Sequence, residues 1–146
     1  MRILIEMHHP AHVHFFKFPI QMWRNHGHEV LVAGRDRNVM TAVAESCPWI
    51  EYQAITSMAT QNKFPLREFL DRQMQIFRVI RAFRPEVIAS CCGNYTQTAY
   101  LYGIPNFVFV DSEFQKVSHH IALPFASKIF TPQCFKKNLG KKQIYY

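Results

Sequence analysis

The sequence predicts an α/β domain in which a parallel sheet carries helices on both faces. Three observations predict it. Short apolar runs recur along the 146 residues, at 3–5, 29–33, 50–54, 86–90, 106–110 and 128–131. Segments of helical character separate them, so strands and helices alternate. Gly27, Gly34, Gly103, Pro85 and Pro105 fall at the element ends, where chain breakers belong. Strands joined through helices pair in parallel, and the crossovers place helices on both faces.

Each element has a local reason. The first strand, residues 3–5, is an unbroken apolar run, as in a strand covered on both sides. A helix over 12–25 follows, with Gly27 just past its end as a stop. The second strand, 29–33, is closed by Gly34, and 38–46 is a short helix. The third strand covers 50–54, and 55–64 is a loop. The longest helix, 66–83, is broken by Pro85, because the residue before a proline is pushed away from helical geometry. Residues 86–90 form the fourth strand, and a helix over 95–102 stops at Gly103. Residues 106–110 form the fifth strand, 113–123 a helix, and 128–131 a short sixth strand. The whole reads as one Rossmann-like domain over residues 1–146, a length that suits one core and not two.

The first helix carries two apolar stripes. Val13, Phe16, Ile20 and Trp23 share one face, and Phe15, Phe18 and Met22 lie nearly opposite. Burial of both, by the sheet and by a neighbouring helix, is the expected arrangement. A patch facing a second domain, a partner or a membrane is the alternative. Pro19 is expected to kink this helix.

The composition, 49% hydrophobic and 18% charged, is that of a globular domain, and no apolar run is long enough to cross a bilayer. The opening residues are too short and too early-charged for a signal peptide, so the cytoplasm is the expected compartment. Cys47, Cys91, Cys92 and Cys134 show no Cys-x-x-Cys spacing and are expected to be reduced, small buried residues. The net charge of +7 points to an anionic partner, such as a nucleotide-sugar, a phospholipid surface or a nucleic acid. Basic residues are scattered over several helices without interleaved aromatics, which disfavours nucleic acid. Neither a GxGxxG nor a GxxxxGK[ST] motif is present, and no serine nucleophile elbow.

In open sheets of this kind ligands bind beyond the carboxyl ends of the strands. Residues 7–11, 34–37, 90–94 and 111–113 therefore line the expected site. The first of these loops begins a run of four histidines within seven residues, His8, His9, His12 and His14. Histidine titrates near neutrality and serves as base, donor or metal ligand. His12 falls at the expected helix start, where backbone N–H groups favour anions and a neutral ring. Capping or packing is the bland alternative for two or three of the four. His12-Val13-His14 also resembles the HxH pair of metal-dependent hydrolases. Residues two apart on a helix face different ways, however, and Pro10 argues against an earlier start that would align His8 with His12. The carboxylates at this edge are only Asp36, Asp111 and Glu113, so no metal and no cofactor are expected. Asp111 and Glu113 suit sugar hydroxyls or the orientation of a histidine, or else cap the next helix. Gly93-Asn94-Tyr95-Thr96 adds a turn with polar side chains.

The block Met7-His8-His9-Pro10-Ala11-His12-Val13-His14-Phe15-Phe16-Lys17, preceded by Arg2-Ile3-Leu4-Ile5, resembles the opening of the domain-of-unknown-function 354 family, a strand followed by GHPAHVHFFK. Gly27-His28-Glu29-Val30, Phe83-Arg84-Pro85-Glu86, Gly103-Ile104-Pro105, Asp111-Ser112-Glu113 and Pro124-Phe125-Ala126-Ser127 extend the likeness over essentially the whole chain. That family resembles the GT-B glycosyltransferases and the non-hydrolysing UDP-N-acetylglucosamine 2-epimerases, in which two Rossmann-like domains face each other across a cleft. The resemblance implies that this chain corresponds to the N-terminal domain. It extends to the peptidoglycan N-acetylglucosaminyltransferase, whose first loop reads GGTGGHVFP, with His12-Val13 on its His-Val.

By this likeness His12 is the catalytic base or a key substrate contact, and His9, His14, Asn94, Asp111 and Glu113 are substrate-binding neighbours. Here His8-His9-Pro10-Ala11 replaces the glycine-rich approach, so a backbone cradle for phosphate is not implied. The implied function is the acceptor-side domain of a sugar transferase acting on a surface glycan or glycolipid in polysaccharide biosynthesis. A UDP-sugar donor would be held mainly by a second domain or partner chain, without which the chain is catalytically incomplete. The implied place is the cytoplasm, peripheral at the inner membrane face. The alternatives are a nucleotide-sugar 2-epimerase, with Asp111 and Glu113 shuttling protons, and a non-catalytic half that binds a partner or membrane through Phe15, Phe18 and Met22.

Overall fold

A computed structural model describes residues 1–35, 38–56, 65–91 and 93–146. Strands β1 (Arg2–Met7), β2 (Glu29–Arg35), β3 (Tyr52–Thr56), β4 (Val87–Ser90), β5 (Asn106–Phe109), β6 (Lys128–Thr131) and β7 (Gln143–Tyr145) form one sheet in the order β3-β2-β1-β4-β5-β6-β7. Every pairing is parallel. Helices α1 (Pro10–Asn25), α2 (Asn38–Glu45), α3 (Pro65–Phe83), α4 (Thr96–Leu101) and α5 (Lys116–Ala122) connect them, with a 3₁₀ turn at Leu123–Phe125 before β6. The expected Rossmann-like α/β architecture is what the chain adopts.

The alternation of side chains along β1 assigns the two faces. Ile3, Ile5 and Met7 pack with Val13, Phe16 and Ile20 of α1 and with Ala44 of α2. Leu4 packs the other way, with Ile76 and Ile80 of α3 and Ala99 of α4. A strand buried on both sides must be apolar at successive positions, which is why Ile3-Leu4-Ile5 reads as a continuous run. The sheet changes direction at β1: the chain winds outward through β2 and β3, then crosses to β4 on β1's other side. The loops after β1 and β4 therefore open side by side at the switch point, where open sheets bind ligands.

Several details depart from expectation. Helix α1 begins at Pro10 and not at His12, because a proline at the first helical position gives up an N–H that would have no partner there. Gly27 follows the C-cap residue His26 in left-handed geometry, φ +79°, as its stop role requires. Pro19 sits inside α1, which continues through it to Asn25. The second stripe of α1 is not buried: Phe15, Phe18 and Met22 are 40%, 64% and 52% exposed. The sheet takes the Val13–Phe16–Ile20 face, with Ala44 of α2 in the same cluster. Strand β3 runs two residues later than expected, and β7 was not expected. Three residues on a sheet edge, reached through a connection without a helix, leave no periodic signature. The expected loop over 55–64 falls at 57–64 outside the described residues, as do Asp36, Arg37 and Cys92. Cys47 is buried, Cys91 half-buried and Cys134 exposed, and no disulfide joins them.

Candidate functional site

A carboxylate lies within the apolar run of β1. Glu6 shares the Leu4 face, toward α3 and α4, and is completely buried. An uncompensated charge there would cost several kcal/mol. Glu6 Oε1 instead accepts hydrogen bonds from His8 Nε2 at 2.5 Å and Asn94 Nδ2 at 2.6 Å. Burial pushes the Glu6 carboxyl up, but His8, Asn94 and the positive field of His12 outweigh it and hold the group below its ordinary value of 4.5. Its other oxygen and the buried hydroxyl of Tyr95 have no hydrogen-bond partner among the described residues. Burial, and then the charge of Glu6, hold the Tyr95 phenol well above its ordinary range.

The loop after β4 supplies the second support. Gly93 adopts φ +71°, and a Cβ there would come within 2.9 Å of Ala122 Cβ, so both conformation and space demand glycine. Its N–H donates to Ser90 Oγ at 3.1 Å, and its carbonyl accepts from Thr96 Oγ1 at 2.7 Å. Gln73 of α3 donates to the Asn94 carbonyl at 3.0 Å and accepts from Thr98 Oγ1 at 2.7 Å. The turn at 93–96 is thus a fixed support that aims Asn94 at Glu6.

The start of α1 settles the proton positions on its histidines. The His8 backbone N–H donates to His12 Nδ1 at 3.2 Å, and the Ala11 N–H donates to His9 Nδ1 at 3.2 Å. A backbone N–H can only donate, so Nδ1 is the bare nitrogen of both neutral rings and Nε2 carries the hydrogen. His9 caps the helix, and its ring lies 6.1 Å from that of His12. Both present N–H donors at the positive end of a 16-residue helix. Burial, the largest influence, acts with His8 and His9 to hold His12 below its ordinary 6.5, against Glu6 and Asp111. His8 is arranged the other way round. A carboxylate accepts, so the neutral His8 ring carries its hydrogen on Nε2, toward Glu6, and its lone pair on Nδ1. The geometry offers one oriented base beside two neutral donors.

The expected site residues divide accordingly. The structure brings His9, His12 and Asn94 together, with exposed Asp111 near enough for its charge to act on His12. His14 is exposed, about 200° around α1 from His12. Glu113 turns away, its Oε1 accepting the Lys136 N–H at 2.8 Å. Sequence reasoning missed Glu6, Gln73 and Tyr95. The signal for Glu6 was present as an acid in the run Arg2-Ile3-Leu4-Ile5-Glu6-Met7, where a fully covered strand has no solvent to offer. Among the described residues, no group of three or more His, Cys, Asp or Glu side chains could hold a metal ion. No helix among them is long and apolar enough to cross a membrane.

A seven-stranded parallel sheet with paired loops at its switch point is a Rossmann-like fold that resembles parts of solved glycosyltransferase and epimerase structures. MurG of Acinetobacter baumannii superposes with a TM-score of 0.77 at 12% identity, over 99% of this chain and 44% of that one. The spinosyn rhamnosyltransferase SpnG complexed with thymidine diphosphate gives 0.66 at 18% identity, over 90% and 45%. The UDP-GlcNAc 2-epimerase of Neisseria meningitidis bound to UDP-GlcNAc gives 0.65 at 11% identity, over 90% and 40%. These likenesses are of fold, and the chain spans less than half the length of each of these proteins. Among curated proteins none matches the sequence. The chain belongs to the DUF354 family, described as proteins of unknown function, whose model matches residues 1–143.

Proposed function

We propose that the chain is the acceptor-side, N-terminal half of a GT-B-like glycosyltransferase. In this reading a nucleotide-sugar donor, such as a UDP-sugar, is held mainly by a second domain or partner chain. The acceptor is a surface glycan or glycolipid of a polysaccharide pathway. The observation that carries the proposal is the Glu6–His8 pair beside the His9 and His12 donors at the switch point. His8 Nδ1 takes the proton of the acceptor hydroxyl as that oxygen attacks the anomeric carbon of the sugar and the bond from that carbon to the nucleoside diphosphate breaks, the diphosphate leaving with the electron pair; buried Glu6 stabilises the imidazolium that forms. His12, neutral and with Nε2–H outward, donates to negative charge on a bound group, as does His9. For His12 itself to be the base, its proton would have to move to Nδ1 and the bond from the His8 N–H would have to break. Asp111 borders the acceptor side, while His14, on the far side of α1, takes no part in this reading. The exposed stripe of Phe15, Phe18 and Met22 suits a peripheral place at the cytoplasmic membrane face.

The test is transfer by the full-length protein from UDP-sugars to membrane extracts, with His8→Gln and His12→Gln beside it. Each substitution is expected to lower kcat by about 10²–10⁴-fold. Unchanged transfer in His8→Gln would sink the base assignment.

The second reading is a nucleotide-sugar 2-epimerase, favoured by the electrostatic reach of Asp111 to His12 at the same edge. Epimer, or free nucleotide, formed from the nucleotide-sugar without any acceptor would select it.

A further inference from the structure

Three aromatic rings from different elements meet at the rim of the histidine site. Within the exposed stripe of α1, Phe15 reaches the rings of the sheet. Its centre lies 5.2 Å from that of Phe109, at the end of β5, and 6.4 Å from that of Tyr146, just beyond β7. Phe109 and Tyr146 close the triangle at 6.2 Å. Phe15 and Tyr146 are exposed, and Phe109 is half-buried. The triangle is fixed from beneath. Phe109 stacks on Phe130 of β6 at 5.0 Å and meets the buried Phe16 edge-on at 5.6 Å. The backbone of Tyr146 donates to the Thr131 carbonyl and accepts from the Gln133 N–H, both at 3.0 Å. Rings held in this way lose little freedom when a ligand arrives.

Polar groups stand beside the rings. Phe15 follows His12 by about one helical turn on α1. Asp111 follows Phe109 by two residues. The Val110 N–H still donates to the Phe130 carbonyl at 2.8 Å, so the alternation of β5 carries Asp111 to the side of Phe109. Asp111 is exposed, and its charge reaches both His12 and the phenol of Tyr146. Burial first, then Cys91 and Asp111, hold that phenol above its ordinary 10, so it keeps its proton and can donate. Three rings, a carboxylate acceptor and a phenol donor thus share one edge. An aliphatic chain offers nothing to the carboxylate, and a phosphate is repelled by it. A sugar ring suits both parts. Its C–H bonds form a flat apolar face for the electron-rich faces of the rings, and its hydroxyls donate to Asp111. Aromatic walls with a few placed polar groups are the usual make-up of small-molecule sites.

We infer that Phe15, Phe109 and Tyr146 form a carbohydrate subsite, in which an uncharged sugar ring stacks on the triangle and gives its hydroxyls to Asp111. Its place in a reaction rests on the transferase reading, in which this ring is the sugar of the acceptor that lies next to the attacked hydroxyl. The charges divide such an acceptor. His9 and His12 draw an anionic group to the start of α1, and Asp111 keeps that group away from the rings. Selection among acceptors would then come from the face and hydroxyl pattern of one sugar.

The test is a titration of the isotope-labelled chain by NMR, without donor or turnover. One arm uses the uncharged methyl glycosides of glucose, N-acetylglucosamine and rhamnose. The other uses glycerol, which has hydroxyls but no ring face. Saturable shifts of the Phe15, Phe109 and Tyr146 rings are expected with at least one glycoside and not with glycerol. Tyr146→Ala and Asp111→Asn should each weaken that binding about fivefold, as loss of one stacking or one charged contact implies. Phe15→Leu keeps an apolar side chain in place but loses the aromatic face, and should weaken it to a similar degree. Phe18→Ala, on the same helix outside the triangle, should change it less than about twofold. Absence of ring shifts with all three glycosides, equal shifts with glycerol, or unaltered affinity in both Tyr146→Ala and Asp111→Asn would overturn the subsite. So would ring shifts that grow with protein concentration and no sugar, which would make this face a contact between copies of the chain. Because nothing here depends on turnover, loss of the subsite would leave His8 open as the base, and loss of that base would leave the subsite standing.

Discussion

At the centre of the sheet one carboxylate, Glu6, is sealed from solvent, and its two partners come from the loops after β1 and β4. At the β6–β7 edge Lys136, Lys141 and Lys142 stand exposed, and no acid follows Glu113. The first region uses charge as a single positioned contact, worth much because water is absent. The second uses charge as a field, worth little to folding and sensitive to salt. Stability should therefore depend strongly on the buried contact at the centre and hardly at all on any one charge at the edge.

The most damaging change is expected at Glu6. Glu6→Leu leaves His8 Nε2 and Asn94 Nδ2 without an acceptor in a buried setting and should cost about 3 kcal/mol in urea unfolding. Glu6→Gln keeps an acceptor and should cost about 1 kcal/mol. A fully stable Glu6→Leu would break the contrast between centre and edge. The same region sets the response to acid. The carboxyl of Glu6 is held below 4.5 and the ring of His12 below 6.5, so in both cases the unfolded chain binds protons more readily than the folded one. Stability should be full above about pH 6.5 and decline as pH falls, first through the His12 range and then below 4.5. Chemical unfolding between pH 4 and 8 checks the sign; stability that rises toward pH 5 would contradict it.

Gly93→Ala should cost about 2 kcal/mol, because the new Cβ must both occupy φ +71° and displace Ala122 from 2.9 Å. The change acts on the support of Asn94 and not on charge. Its thermal shift should therefore be as large at pH 4 as at pH 8, unlike that of Glu6→Gln, which should shrink below pH 4.5 as the parent's carboxyl takes up its proton. Below it, His9→Ala removes the cap on the Ala11 N–H and should cost about 1 kcal/mol.

How much of this was legible follows from what each signal depends on. Six strands could be read because both faces of a parallel sheet are covered, which leaves runs such as Ile3-Leu4-Ile5. The site's location could be read from the strand–helix order, and His12 and Asn94 from their loops. The tautomers could not, since they depend on the His8 and Ala11 N–H groups meeting ring nitrogens. Nor could the fate of Glu113, drawn to the backbone of Lys136 by a connection without periodicity. Pro10 was misread because proline is a breaker inside a helix and a favoured residue at its first position. The exposed Phe15, Phe18 and Met22 had a helical period that says which residues share a face, but not what covers that face.

The smallest effect concerns the edge itself. Lys141→Gln removes an exposed cation that neighbours Lys142 and lines the same groove as Lys137. Its side chain makes no hydrogen bond among the described residues, so the loss of contacts is about zero. What it relieves is like-charge repulsion, a term of at most about 0.5 kcal/mol at an exposed position. The variant should thus be slightly more stable than the parent in dilute buffer, and the gain should disappear near 0.5 M salt, as the Debye length shrinks to about 4 Å. Glu6→Gln, measured in the same series, should keep its deficit at every salt concentration, because ions do not reach a buried pair. A salt-independent loss of stability in Lys141→Gln would mean that the edge, like the centre, is built on a specific contact.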